Sequence, residues 1–155
     1  MPEPEYSVLV SGPTEDREEK GTVTISMNRS LRVPPIYRLV TLDSNADLRA
    51  EARRLAEEGA EDGTLLWSVQ DDRLTCAVIL KPEEPLATSL QVLYVAMLGL
   101  GDALGAVVPP LVEVTFVWPN RVEANGRHVG EAQIELAKRD IANTALEWLA
   151  VCVEV

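Results

Sequence analysis

The residues best suited to chemistry cluster between Phe116 and Glu131. Trp118-Pro119-Asn120-Arg121 is followed by Asn125-Gly126-Arg127-His128, so an indole, an amide, two guanidinium groups and the chain's one histidine share a short stretch. An amide directly after Trp-Pro at a strand end is placed to orient a bound molecule. Trp118 itself would serve equally as core filler in a sheet. With His128 the sole histidine, a multi-histidine metal site is excluded. Cys76 and Cys152 sit in apolar runs, where free cysteine behaves as a small hydrophobe. Cys152 has no adjacent His or Lys to activate its thiol. Gly99 to Gly105 lies within an apolar helical run rather than between a strand and a helix, so its glycines read as packing and not as a phosphate loop.

Those groups must be positioned by strands and turns. Val112 to Trp118 is apolar and β-branched, which predicts a buried strand that delivers Trp118 and Asn120 to a sheet edge or cleft. Asn125-Gly126 predicts a tight hairpin, because both residues tolerate positive φ. Upstream, Tyr37–Leu42, Thr64–Val69 and Leu74–Leu80 read as strands, the last two joined tightly through Gln70–Arg73. Ser44 followed by Asp47 fits an acidic capping box. Leu48, Ala52, Leu55 and Ala56 then form the buried stripe of a helix that stops at Gly59. Leu86 to Ala106 predicts an apolar, buried helix ended by Pro109-Pro110, and strands follow near Ala132–Leu136 and Trp148–Val155. The interval 138–147 reads as a loop. Residues 1–34 form an N-terminal hairpin extension built on Tyr6–Val10 and Thr22–Ser26, and 35–155 form the main domain. The class is α+β: a mixed, mainly antiparallel sheet with helices packed on one face.

Composition sets limits on partners. The 155 residues include 14 basic and 25 acidic side chains, a net charge of −11, which disfavours nucleic acid and anionic membrane. An apolar content of 46% and a mean hydropathy of +0.02 describe a globular chain. The two cysteines do not read as a disulfide framework, the N-terminus lacks a signal-peptide pattern, and a cytoplasmic protein is expected.

Trp118-Pro119-Asn120 ahead of the Gly126-Arg127-His128 hairpin resembles the Trp-Pro-Asn-Asp signature and Gly-Arg-Lys hairpin of biotin and lipoate protein ligases. Leu42 to Thr64 is similar to that family's opening block, in which Asp-Ser-Thr-Asn caps a helix leading through Gly-Ala and Gly-Thr into a strand. Leu86 to Ala106 is similar to its long apolar helix. The three blocks stand in the family's order over residues 36–155, and the tandem prolines resemble a divergent bacterial branch of ill-defined function.

The resemblance implies a fold like the class II synthetases, and a site that binds biotin, lipoate or an adenylate. It also implies transfer of the acyl group to a lysine of a carrier domain. Ser44, Gln70, Trp118, Asn120 and Arg121 correspond to ligand-binding positions. Arg127 and His128 would hold the carboxylate or phosphate. Several family features are absent. Asp71-Asp72-Arg73 stands where a Gly-Arg-Gly-Arg-x-Gly loop follows the glutamine, Arg121 replaces the signature aspartate, and His128 replaces the hairpin lysine. Two aspartates repel a triphosphate, and an imidazole carries less charge at neutral pH than a lysine. Binding of a small carboxylic acid cofactor or its adenylate, with acyl-transfer chemistry weakened or lost and the use of ATP in doubt, is one expectation. A non-catalytic ligand-sensing or protein-assembly module on the same scaffold is the other, and a homodimer through edge strands is compatible with both.

Overall fold

The computed structural model describes residues 32–70, 72–137 and 146–155. The expected hairpin at 6–28 and most of the 138–147 interval lie outside them. Ten elements follow one another: β1 (Arg38–Thr41), α1 (Leu48–Glu57), β2 (Thr64–Val69), β3 (Leu74–Leu80), α2 (Leu86–Ser89), α3 (Val92–Val107), β4 (Val114–Val117), β5 (Arg121–Ala124), β6 (Arg127–Leu136) and β7 (Leu149–Glu154). The strands form one sheet in the order β1-β2-β3-β7-β6-β5-β4. Only β1 and β2 are parallel, joined through α1. This is the expected α+β class with a mixed, mainly antiparallel sheet.

Local chemistry explains most boundaries. Asn125 (φ 49°) and Gly126 (φ 73°) both take the left-handed conformation that a two-residue β5–β6 turn demands. Gly59 (φ 93°) ends α1 in the same conformation. The α1 N-cap is Asp47, not Ser44: its Oδ1 accepts from the Arg49 and Ala50 amides at 3.0 and 3.1 Å. The chain uses Asp43 to Ala46 for a turn closed by the Ala46 amide on the Asp43 carbonyl, so Ser44 is spent before the helix begins. A carboxylate at that end also meets the positive pole of the helix. Asp47→Ala should therefore lower stability by about 1 kcal/mol, measurable by urea unfolding.

The long apolar segment is broken where the sequence suggested continuity. Ser89 turns its hydroxyl back onto the Glu84 and Pro85 carbonyls at 3.0 and 3.2 Å, a bond that bends helices. Leu90 and Gln91 form the resulting turn between α2 and α3.

The placement of the helices is the main difference from expectation. Alternation along β7 sends Ala150 and Cys152 into one cluster with Leu66, Ala77, Ile79 and the α1 residues Leu48, Ala52 and Ala56. The intervening Leu149, Val151 and Val153 join clusters that hold Val92, Ala96, Met97 and Leu100 of α3. Each helix thus covers its own face of the sheet, rather than both sharing one. Helix periodicity identifies a buried stripe but not the side of the sheet it meets. α3 is also less covered than its composition implies, since it buries Met97 and Leu100 but leaves its outer flank in water.

Candidate functional site

The α1 face carries a hollow at the helix N-terminus. It is lined by Ala46 to Arg49, Gln70, Arg73, Thr75, Glu131, Gln133 and the β7 residues Cys152 to Glu154, and measures about 200 Å³. Its floor follows from strand register. Gln133 lies opposite Cys152 and Glu131 opposite Glu154 across β6 and β7, while β6 alternates polar Glu131, Gln133 and Glu135 with apolar Ala132 and Ile134. The polar set therefore faces α1. Gln70 begins the tight β2–β3 connection, where its amide donates to the Arg73 carbonyl at 2.8 Å. No hydrogen bond engages the side chains of Gln70 or Thr75 among the described residues, which leaves a carboxamide and a hydroxyl open to the hollow.

A second hollow of about 290 Å³ adjoins the first, lined by Asp72, Arg73, His128 to Glu131, Glu154 and Val155. The two share Arg73, Glu131 and Glu154 as a common wall. Arg73 Nη1 binds Glu154 at 2.9 Å and its Nη2 reaches Asp72 at 3.3 Å. His128 enters this group through an irregularity in β6. Val122 pairs with Gly130 but Glu123 pairs with His128, so Val129 is an extra residue. A bulge of this kind reverses the alternation and brings His128 to the same face as Glu131, with Nε2 3.8 Å from Glu131 Oε2. Arg121 Nε lies 4.0 Å from the same oxygen.

Behind the first hollow, Glu135 is 5% exposed and receives hydrogen bonds from Arg49 and Arg53 of α1. Burial pushes its carboxyl up, but the two guanidinium groups outweigh burial and hold it below the usual range. Arg49 is thereby committed to Glu135, as Arg73 is to Glu154. Burial pushes the Cys152 thiol up to about 12, so this sulfur stays protonated and is no nucleophile.

The expected site residues divide accordingly. Gln70 lines the first hollow, His128 lines the second, and Arg121 approaches their shared wall. Ser44 is exposed in the turn before α1 and Arg127 is exposed at the hairpin; neither lines either of these two hollows. Trp118 is 79% exposed at the end of β4 and lines neither. Asn120 braces the scaffold, its Nδ2 donating to the Ala132 carbonyl at 3.1 Å while its own carbonyl accepts from the Ala132 amide at 2.9 Å. The floor residues Thr75, Glu131, Gln133 and Cys152 were not anticipated. The polar period of two along β6 is the signal that could have found them.

A β1-α1-β2 opening, a Trp-Pro-Asn turn braced onto β6 and a hollow at the α1 N-terminus define a biotin-ligase-like α+β fold. The family model described as Biotin/lipoate A/B protein ligase family matches residues 33–155, and the chain belongs to that family. A crystal structure of a biotin protein ligase-like protein of unknown function from a Silicibacter species is similar over 81% of this chain and 54% of its own, at 31% identity and a TM-score of 0.74. Biotin acetyl coenzyme A carboxylase synthetase from Helicobacter pylori, solved with biotinylated ATP, is similar in fold at 12% identity and a TM-score of 0.52, over 76% of this chain and 59% of its own. Biotin protein ligase from Leishmania major, solved with biotin, is similar in fold at 14% identity and a TM-score of 0.52, over 79% and 57%. The chain thus spans between 54% and 59% of the length of these structures. A search of curated proteins returned no match.

Proposed function

We propose that this chain is a ligase-type domain that binds a small carboxylic acid cofactor, or its adenylate, in the paired hollows beside α1. Acyl transfer to a carrier lysine is reduced. The observation that carries the reading is the first hollow itself, a built concavity with open hydrogen-bonding groups on Gln70 and Thr75. The head of the acid fits there, against groups that can donate and accept without carrying charge. Its carboxyl end extends over the shared wall toward His128 and Arg121.

The same wall accounts for weakened chemistry. Activation of a carboxylate on a phosphate gathers negative charge, which needs fixed cations that are free to respond. Arg73 is held by Glu154 and Asp72, and His128 and Arg121 both face Glu131. Each cation near the second hollow is already compensated by a carboxylate. The domain therefore retains a bound acid or adenylate better than it forms one.

Calorimetric titration with biotin, lipoate, octanoate and biotinyl-adenylate tests this. Saturable heat is expected for the adenylate or one of the acids. Gln133→Trp, which fills the floor of the hollow, should abolish that heat without lowering the melting temperature. Silence across all four ligands, or binding that survives Gln133→Trp, would remove the assignment.

A further inference from the structure

A third hollow lies on the α3 face of the sheet, away from the paired hollows and at the other end of the strands. It measures about 450 Å³ and opens where Leu80, the last residue of β3, pairs with Leu149, the first of β7. Its floor is apolar, since Leu149 is buried and Leu80 and Val92 pack with it in one cluster. Val95 of α3 forms one side and stays 65% exposed. From there the apolar surface continues. Leu98 and Tyr94 are 60% and 48% exposed, and their spacing keeps Val95, Leu98 and Tyr94 on one flank. Gln91 to Leu98 carries no charge over about two turns, or ~10 Å, of helix. Contiguous exposed apolar surface of this kind marks a contact site.

The rim carries the complementary signal. Asp62, Glu83 and Glu84 stand around the groove against one cation, Lys81. Asp62 Oδ1 accepts from the Lys81 amide at 2.8 Å, and Lys81 Nζ donates to the Gly59 carbonyl at 3.4 Å. The carboxylates of Glu83 and Glu84 are exposed and have no hydrogen bond or ion pair among the described residues. We infer that this groove receives a basic amphipathic helix of a partner protein. Its apolar stripe lies on Val95, Leu98 and the Leu149 floor, and its Lys or Arg side chains lie over Glu83 and Glu84. Two unpaired carboxylates beside an apolar floor attract a cationic flank and repel an acidic one. The shape selects a helix. An uncharged strip two turns long suits the apolar anchors of a helix laid in a groove. A small ligand would need a site that covers most of its surface, whereas the Val95 side of this one stands open to water.

A lipid surface is the rival occupant, because Leu86–Val107 is long and apolar enough to cross a bilayer. The Met97 and Leu100 side of α3 is held on the sheet, however. A chain of net charge −11, with Glu83 and Glu84 beside the apolar strip, is repelled by anionic lipid.

Calorimetric titration of the full chain with two synthetic peptides decides the matter. Both place leucines at i, i+3, i+4 and i+7; one fills the other positions with lysine, its counterpart with glutamate. The leucine–lysine peptide should bind one to one, gain helical circular dichroism on binding and lose affinity as salt is raised. The leucine–glutamate peptide should give no heat. Charge reversal by Glu83→Lys with Glu84→Lys, and loss of the apolar strip by Val95→Asn with Leu98→Asn, should each weaken binding by about tenfold or more. The melting temperature should hold in both, since all four positions are exposed. Glu57→Lys with Glu113→Lys makes the same change in net charge away from the groove and should leave affinity within about twofold. No heat with the lysine peptide, equal binding of the glutamate peptide, or an equal loss in the distant pair would each overturn the inference. So would indifference to either groove pair, or flotation of the wild-type chain with phosphatidylcholine or anionic vesicles.

Discussion

Gly63→Ala should lower the thermal midpoint by about 10 °C, the largest effect expected of any single methyl group in this chain. Gly63 connects α1 to β2 with φ at 78°. A Cβ there would stand 2.7 Å from the Ile36 carbonyl oxygen, which is main chain and cannot rotate away. A left-handed conformation costs a non-glycine residue about 1–3 kcal/mol, and the contact adds to it. Loss of roughly 3 kcal/mol corresponds to about 6–12 °C in a domain of this size. Relief would require the segment before β1 to move, yet the Arg38 amide donates to the Gly63 carbonyl at 3.1 Å and β1 begins its parallel pairing at Thr64. Strain and strand are therefore coupled. Differential scanning calorimetry of the variant measures the shift, and a midpoint within a degree or two of wild type would contradict the argument.

Removing the Glu135 carboxylate should have the second largest effect. Glu135→Ala severs both attachments of α1 to β6 and leaves Arg49 and Arg53 to find water. Because the two arginine side chains are 53% and 48% exposed, they rehydrate readily, and the loss is about 2 kcal/mol rather than the ~3–5 kcal/mol of a fully buried pair. Glu135→Gln separates charge from shape, keeping the size of the group while abolishing its ionisation.

The pH dependence follows from the lowered Glu135 carboxyl. A depressed acid contributes stability that is complete above its unfolded pKa of about 4.3 and is lost as the pH falls through its lower folded value. Between about pH 5 and pH 3 the wild-type melting temperature should fall more steeply than that of Glu135→Gln. Parallel curves would show that the carboxylate is not the group that titrates.

The sequence made some of this legible and concealed the rest for identifiable reasons. Asn125-Gly126, Gly59 and the Gln70–Arg73 turn were readable because their conformations are set within a few residues. Asp47 was passed over for Ser44 because both are good caps, and the choice depends on how many residues the preceding turn consumes. The polar floor depends on the β6–β7 register, a pairing of segments whose relation the chain does not state locally. The reach of His128 to Glu131 was invisible for a stronger reason. Three residues apart on a regular strand, the two would face opposite sides, and only the extra residue at Val129 reunites them. Trp118 and Asn120 carried the family resemblance, yet one lies in water and the other holds a turn.

The two-sided character of β6 has an evolutionary corollary. From Glu131 to Glu135 its odd positions supply the wetted floor, while Ala132 and Ile134 supply the greasy underside, so any one of them can be exchanged while the rest keep their stations. A deletion of one residue between Gly130 and Leu136 would instead transpose every position on one side of the cut, carrying polar residues into the oily layer and apolar ones into the hollow. Substitution here should therefore be tolerated better than a change of length, which fits only at the Val129 irregularity and the hairpin tip.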